Sequence, residues 1–465
     1  MSTHVQALVI GAGPGGYPCG IRLAQLGIQT VVVEKEHWGG VCLNVGCIPS
    51  KAWITAGKRV EEIRHASVMG IEVEGAVRVD MPKLQAWKQG ITTKLNQGIN
   101  TLLKGNGATT VFGDAKITGP HEVTVTSKEG TTVYTADHIV IATGSRPIEI
   151  PGFAYADAPV LDSTKALALT ELPARMVVIG GGYIGLELGS MLAKFGSKVT
   201  VVEGTKTLMP GFDPDCTKVI ERKLKKAGVQ IVTEAKALGW DKTADGIAVR
   251  IATAKGEEAL PADAVLVTVG RFPNTENLGL EAVGIEKDGR FIKVDAQRRT
   301  SLPHIFAVGD VAGQPMLAHK ASYEGELVAE VIAGHRRQYD AKTVPAVVFT
   351  DPEIAVAGLD EAAARARGDI KVGKVPYAAI GRALTTGDTE GFFKVILDAN
   401  TREVLGVTIC GQHASDLISE AALAVEMAAE GLDLGLTIHP HPTLGEGIME
   451  AAKAALGEAI HILNR

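Results

Sequence analysis

The sequence predicts an α/β protein: two strand–glycine turn–helix units, each opening a parallel sheet, followed by a separate α+β domain. Three observations carry this reading. One pattern returns 169 positions after its first occurrence, a second returns after 126, and the chain changes texture at about Thr343. The first unit opens on the apolar run Val5–Ile10, short enough for a buried strand, and passes into Gly11-Ala-Gly13-Pro-Gly-Gly16. A helical stretch to Gly27, a β-branched run Thr30–Val33 and the acid Glu34 complete it. The second unit keeps the order: Met176–Ile179, Gly180-Gly-Gly182-Tyr-Ile-Gly185, a helical stretch to Gly196, Lys198–Val202, then Glu203. Five landmarks share the one offset (11/180, 13/182, 16/185, 27/196 and 34/203).

A lone G-x-G-x-x-G carries little information. Here each copy sits between a buried strand and a helix, with an acid 23 residues after its first glycine, which is the context of a dinucleotide-binding fold. The first glycine makes the turn, the second admits the pyrophosphate to the backbone, and the third lets helix and strand pack closely. The helix N-terminus faces the phosphates, and the acid accepts hydrogen bonds from a ribose diol. The plain alternative is two glycine-rich turns in an unrelated α/β sheet.

The second echo pairs Asp137-His-Ile-Val-Ile-Ala-Thr-Gly144-Ser145-Arg-Pro147 with Asp263-Ala-Val-Leu-Val-Thr-Val-Gly270-Arg-Phe-Pro273. Both read as closing strands of the two Rossmann-like units, and Pro147–Gly152 as the crossover between them. A third strand of this kind, His304-Ile-Phe-Ala-Val-Gly309-Asp310, ends in an acid at the sheet edge where α/β folds bind ligands. Beyond Thr343, short β-rich runs at Ala346–Thr350, Phe392–Leu397 and Val404–Cys410 precede an amphipathic helix around Ser415–Glu430, the make-up of an α+β domain.

Composition narrows the function classes. Lys and Arg number 47 against 53 Asp and Glu, a net charge of −6, so a generally basic binder of nucleic acid or anionic membrane is excluded. Hydrophobic residues at 46% and charged residues at 22% fit a globular chain rather than a disordered one. Glycine stands out at 54 residues without a collagen period, which implies tight turns and close backbone approach to a ligand. The five cysteines are Cys19, Cys42, Cys47, Cys216 and Cys410. So sparse and odd a set is no disulfide scaffold, and two of them five positions apart suggest chemistry. No apolar run reaches the roughly 18 residues of a membrane span. There is no Lys or Arg before Arg22, and glycines break the apolar stretch from Gly11 onward, so no secretory signal is read and the cytoplasm is the expected compartment. No metal site is expected.

Two dinucleotide sites in one chain call for hydride traffic, one holding a flavin and the other a nicotinamide. Beside the first lies Gly39-Gly-Val-Cys42-Leu-Asn-Val-Gly-Cys47-Ile-Pro49-Ser-Lys51. Pro49 with helix formers after it predicts a helix starting near residue 48. Cys47 then sits by the positive end of the dipole with Lys51 one turn further along, and both favour a thiolate. Reduced, such a pair offers one thiol to exchange with substrate and one to meet the flavin. The plain alternative is two free cysteines packed as small hydrophobes.

This segment resembles the redox-active disulfide motif of the pyridine nucleotide–disulfide oxidoreductases. It is most similar to those that oxidise dihydrolipoamide as the flavoprotein component of 2-oxo acid dehydrogenase complexes. The likeness runs the length of the chain, through Val-Gly270-Arg-Phe-Pro-Asn, Phe-Ala-Val-Gly-Asp310-Val, Pro-Met316-Leu-Ala-His-Lys, Thr-Asp-Pro-Glu-Ile and His439-Pro-His441-Pro-Thr-Leu-Gly-Glu446. The resemblance implies an FAD-binding domain over residues 1–147, an NAD-binding domain over 148–272, a central domain over 273–343 completing the FAD site, and a dimerisation domain over 344–465. It implies that Cys42 exchanges with dihydrolipoamide and that Cys47 contacts the flavin, with Lys51 near the flavin N5 and paired with Glu187. Glu34 would hold the FAD adenosine ribose beside the Gly11, Gly13, Gly16 turn. Ala115, through its backbone, and Gly144, Ser145, Asp310 and Ala318 would line the rest of the FAD. Gly180, Gly182, Gly185, Glu203 and Gly270 would hold NAD, with Ala237 a looser match near the adenine. Read on its own, Glu187 has a plain alternative as a solvated helix acid.

The same resemblance makes His441 the base for the substrate thiol and Glu446 the group that orients it. Their pair would reach the disulfide of the other subunit, so a homodimer is implied, docking lipoyl domains and the core acyltransferase of a complex. From the residues alone, Pro440 and Pro442 hold His441 in an extended loop. Thr443-Leu-Gly-Glu446 reads as a capping box opening a helix, so Glu446 is also a candidate cap carboxylate. His439 supports the loop. Two departures from the family pattern stand out: Tyr17-Pro18-Cys19 after the first fingerprint, and Pro440 where a small residue is usual. Neither removes a reactive group. Glu203 speaks against NADP, whose 2′-phosphate it would meet as a like charge. The other readings are a related disulfide or metal-ion reductase, and a flavoprotein subunit without turnover.

Overall fold

A computed structural model describes residues 2–464. By their internal contacts these fall into two compact units: residues 2–150, 154–172 and 269–340, and residues 151–153, 173–268 and 341–464.

The first unit is built on the strand Ser2–Ile10, flanked by Thr30–Glu34 on one side and Gly130–Ile141 on the other, all parallel. Thr109–Phe112 extends the sheet at one end, and Ile305–Ala307 pairs in parallel with Ile139, Val140 and Ile141 at the end of Gly130–Ile141. The antiparallel strands Asp114–Gly119 and Glu122–Ser127 complete seven. The apolar runs of the sequence are continuous because the sheet is covered on both faces. Leu8, Ile10, Val31, Val33, Ile139 and Ile141 point to one side with Ala115 and Ile117. Ala7, Val9, Val32 and Val140 point to the other, against Leu23, Leu103 and Leu327.

The second unit repeats this core as Arg175–Ile179 between Lys198–Val202 and Ala264–Val267, again parallel, with Gln230–Val232 outside. The duplication extends to the hydrogen bonds. Gly11 N–H donates to Val33 O at 2.8 Å and Gly180 N–H to Val202 O at 2.9 Å. Both glycines have positive φ, +99° and +105°, a conformation that favours glycine. The third glycines show why helix and strand tolerate no side chain here. A Cβ on Gly16 would lie 1.8 Å from Gly11 O, and one on Gly185 would lie 2.1 Å from Gly180 O. Gly16→Ala is therefore expected to cost about 3 kcal/mol, the upper end of overpacking penalties, and to lower the thermal midpoint by several degrees. An unchanged melting curve would mean the turn yields without strain.

The rest of the second unit is a three-stranded antiparallel meander (Lys236–Thr243, Gly246–Thr253, Gly256–Ala262) and a five-stranded antiparallel sheet. That sheet runs Ala346–Val348, Glu353–Gly358, Val404–Gly411, Phe392–Asp398, Ile370–Pro376. One face buries Phe393, Val395, Val407 and Ile409 against the helices Ala414–Glu426 and Glu446–Leu456. The amphipathic helix expected to run to residue 430 stops at Glu426, and a second helix starts at Gly431. Between them Ala428 takes a φ of +53°, Ala429 O accepts from Val404 N–H at 2.9 Å and Gly431 N–H donates to Arg402 O at 2.8 Å. Backbone pairing with the strand hairpin overrides the helical pattern there. Among the described residues no helix is long and apolar enough to cross a membrane.

Candidate active site

The cysteine segment rests directly on the first glycine turn. Gly39 N–H donates to Ala12 O at 2.9 Å, and Gly40, at φ +61°, lies so close that a Cβ would be 2.6 Å from Gly13 Cα. Asn44 Nδ2 donates to Trp38 O and Gly40 O at 2.9 Å each, and Asn96 Nδ2 to Trp38 O at 2.8 Å, which ties the segment to the long helix Met81–Gly105. Cys42 lies on the short helix Gly40–Asn44 and Cys47 is the first residue of the helix Cys47–His65, one position before the expected start. The two thiols are close enough to shift each other's protonation, and the Cys47 backbone favours the Cys42 thiolate. The neighbouring Cys47 thiol and burial push the Cys42 thiol up from its ordinary value, while the Lys51 charge pulls it down. Cys47 is exposed and Cys42 half-buried.

The two acids that close the repeats hold their glycine turns in the same way. Glu34 accepts from Ala12 N–H at 2.8 Å and Glu36 N–H at 2.8 Å. Glu203 accepts from Gly181 N–H at 2.7 Å and Thr205 N–H at 2.7 Å, the same positions shifted by the repeat. Each carboxylate, four-sited as an acceptor, keeps capacity for a ribose diol. The middle glycines are open: a Cβ on Gly182 would meet nothing within 4 Å, and one on Gly13 only Gly40 Cα at 3.9 Å. Bare backbone at a helix N-terminus with open space before it fits a pyrophosphate in both places. Ala115 follows Gly113, whose N–H donates to Glu34 O at 2.9 Å; Ala237 follows Ala235, whose N–H donates to Glu203 O at 3.0 Å. These two residues therefore occupy comparable places beside the two acids.

Ser145 and Asp310 come together from distant positions, with Ser145 Oγ donating to Asp310 Oδ2 at 2.5 Å. Gly144, at φ +67°, makes the turn before them, and Asp310 follows the strand Ile305–Ala307. Ala318 opens the helix Ala318–Ile332. Gly270 lies in the first unit, where its carbonyl accepts from Ile148 N–H at 3.1 Å. Glu187 is no solvated helix acid: it is 4% exposed on the helix Tyr183–Phe195, and its carboxylate accepts from Phe349 N–H at 2.9 Å.

His441 Nδ1 is bonded to Glu446 Oε1 at 2.9 Å, with the imidazole exposed and Glu446 largely covered. The other Glu446 oxygen accepts from Thr443 N–H at 2.9 Å. Burial alone would raise the Glu446 carboxyl, but the His441 and Thr443 hydrogen bonds outweigh it and hold the group below the ordinary carboxylate value. Only half of the expected capping box forms. Thr443 Oγ1 donates to Pro440 O at 2.7 Å instead of capping the helix, which starts at Glu446 itself. The His441–Pro442 peptide is cis. The His439 side chain is largely covered, with Nε2 at 2.8 Å from Glu420 and Nδ1 at 2.8 Å from Thr437 O.

The description "Pyridine nucleotide-disulphide oxidoreductase" matches residues 5–325, and that of the same family's dimerisation domain matches residues 344–452. The chain belongs to this family. It is similar to the dihydrolipoyl dehydrogenase of Geobacillus stearothermophilus, 49% identical over 99% of this chain and 98% of that one. It is also similar to the enzyme of that name from Bacillus subtilis (strain 168), 50% identical with the same coverage. Among solved structures, LpdA from Mycobacterium tuberculosis aligns over 97% of this chain and 99% of its own with a TM-score of 0.90 at 28% identity. The HOCl-induced flavoprotein disulfide reductase RclA from Escherichia coli aligns over 96% and 99% at 0.86, also 28% identical. As a member of this oxidoreductase family the chain is of a kind that works with flavin and pyridine nucleotide.

Within the family fold, three supporting groups escaped the sequence reading. Arg271 Nε donates to Ser145 Oγ at 2.7 Å, fixing the hydroxyl that bonds Asp310. Asn274 Nδ2 donates to Thr143 O at 2.9 Å and its N–H to Gly144 O at 2.9 Å, locking the turn. Both stand in the quoted Gly270-Arg-Phe-Pro-Asn motif, so the signal was present. Glu324 is fully buried, accepts Gly309 N–H at 2.7 Å and is paired with Lys320 at 2.9 Å and Arg298 at 3.3 Å. It steadies the turn that presents Asp310, and nothing in its helical surroundings marked it.

Proposed function

We propose that the protein catalyses the dihydrolipoyl dehydrogenase reaction, oxidising dihydrolipoamide to lipoamide and reducing NAD⁺ to NADH. The observation that carries the reading is the Cys42–Cys47 pair, two thiols in mutual contact at a helix start with Lys51 on the next turn. In the oxidised enzyme a thiolate of the substrate attacks the Cys42 sulfur, the Cys42–Cys47 bond breaks, and Cys47 leaves as a thiolate stabilised by the helix N-terminus. The second substrate thiol gives its proton to His441 Nε2, the nitrogen not bonded to Glu446, and attacks the mixed disulfide. Lipoamide departs and Cys42 keeps the electron pair of the broken bond. Bound FAD supplies a two-electron relay from the dithiol to NAD⁺. Closing of the Cys42–Cys47 bond then returns the pair to its starting state.

Glu34, the first glycine turn, Lys51 with its partner Glu187, Ala115, Gly144, Ser145, Asp310 and Ala318 are the residues proposed to hold FAD. The second turn, Glu203, Ala237 and Gly270 are those proposed for NAD. The proposed division is residues 1–147, 148–272, 273–343 and 344–465, with the last forming a homodimer so that His441 serves the partner subunit's disulfide. The partners are lipoyl domains and the core acyltransferase of a 2-oxo acid dehydrogenase complex, in the cytoplasm, where a dithiol substrate stays reduced.

The test is an anaerobic absorbance titration of the purified flavoprotein with dihydrolipoamide, followed by NAD⁺. A long-wavelength band from thiolate against flavin, then NADH, is the expected result. A yellow protein that dihydrolipoamide leaves unchanged would overturn the substrate assignment and point to another disulfide or a metal ion. Glu203→Ala removes a charged acceptor, so the KM for NAD⁺ is expected to rise about 10- to 100-fold, the equivalent of 1.5–3 kcal/mol. The dithiol titration of the flavin should be unaltered in this variant. An unchanged KM would remove Glu203 from the nucleotide site.

A further inference from the structure

Two cysteines outside the redox segment touch although almost two hundred positions separate them. Cys216 lies in the first turn of the helix Pro214–Lys226 and Cys410 on the strand Val404–Gly411, and their thiols are close enough to shift each other's protonation. Both are fully buried. Cys410 stands opposite Phe392 in the sheet register, and Lys394 opposite Thr408, so Cys410, Phe392 and Lys394 share the face turned away from Phe393 and Val395. This face meets the start of the helix through ion pairs. Lys394 reaches Asp213 at 2.7 Å, Glu361 at 2.7 Å and Asp215 at 3.5 Å, and Lys374 reaches Asp215 at 2.7 Å. The Lys394 side chain is only 3% exposed, and its pairs with Asp213 and Asp215 fix the first helical turn against the sheet. These ion pairs tie the helix start that carries Cys216 to the strand next to Cys410.

We propose that Cys216 and Cys410 form a second oxidisable dithiol, which closes to a disulfide fastening the helix Pro214–Lys226 to the C-terminal sheet. Two thiols lose two protons and two electrons to form one S–S bond; the oxidant is hydrogen peroxide, whose O–O bond breaks to give two waters. The neighbouring Cys410 thiol and burial keep the proton on Cys216 more firmly than on an ordinary thiol, and Asp213 adds to this, while Lys394 opposes it. Oxidation is accordingly slower than at exposed Cys47 and marks sustained oxidant exposure rather than turnover. Because it joins distant positions, the bond restricts the unfolded chain strongly.

The experiment treats the intact wild-type flavoprotein with hydrogen peroxide, blocks free thiols with iodoacetamide in denaturant, and maps peptides by mass spectrometry without reduction. A linked peptide containing Cys216 and Cys410 is expected. It should appear after Cys42–Cys47 oxidation is complete, vanish on reduction and be absent from Cys216→Ser, while Cys19 stays alkylated. The thermal midpoint should rise by about 5 °C on oxidation and fall back on reduction. Recovery of Cys216 and Cys410 as alkylated thiols, or as sulfinic acids, once Cys42 and Cys47 are fully oxidised would overturn the proposal. The wild-type map decides the question even if the serine variant fails to fold.

Discussion

Cys47→Ser is expected to abolish dihydrolipoamide oxidation while leaving the protein folded and yellow. A serine hydroxyl at the helix start neither closes a bond with Cys42 nor leaves as a stable anion. The loss should reach about four orders of magnitude in kcat, equivalent to about 5.5 kcal/mol of transition-state stabilisation. The substitution is nearly isosteric, so the thermal midpoint should hardly move. Stopped-flow absorbance with dihydrolipoamide checks it: the long-wavelength band should be absent. Residual turnover within a factor of ten of wild type would mean that electrons reach the flavin by another path. Cys42→Ser should be equally inactive with dihydrolipoamide. Its remaining Cys47 thiol, freed of the Cys42 thiol, separates exchange with substrate from contact with the flavin.

Gly11, Gly16 and Glu34 were legible because the repeat states them twice, and a shared offset is hard to produce without a shared fold. The strands around them were legible for a simpler reason: burial on both faces makes each one an unbroken apolar run. What the sequence concealed is of two kinds. The helix Met81–Gly105 carries Gly90, Gly98 and a threonine pair, which weaken its periodicity, although Asp80 and Pro82 mark its start. The meander over residues 236–262 and the strands over 109–127 lie partly exposed, so their alternation is diluted by polar residues. The supporting groups Arg271, Asn274 and Glu324 act through contacts spanning tens to more than a hundred positions or through buried charge, and local pattern carries no trace of such pairings. The opposite case is Glu187, whose helix is apolar on nearly all sides; its burial could have been read from that, since a lone acid in such a helix has no solvated face to occupy.

His441→Gln should slow the dithiol half-reaction by about 10²- to 10⁴-fold, the span of general acid–base catalysis. The hydride step to NAD⁺ involves no substrate thiol, so its rate, measured by mixing the reduced enzyme with NAD⁺, should be unchanged. That split distinguishes a base from a residue that merely keeps the loop folded, which would affect both steps. Glu446→Gln should cost less, about 10- to 100-fold, because the imidazole stays but loses a charged partner worth 1.5–3 kcal/mol. Glu446 has a second, structural bond to Thr443 N–H, so this variant carries a stability signature as well. Its folded carboxyl is held below the ordinary value. The stability it lends is therefore fully present above about pH 4.3, the unfolded glutamate value, and is lost as pH falls through the lower folded value. Glu446→Gln should flatten the decline of the thermal midpoint across that acid range while its activity remains low at every pH. A kcat restored at high pH would assign the proton to a group other than His441.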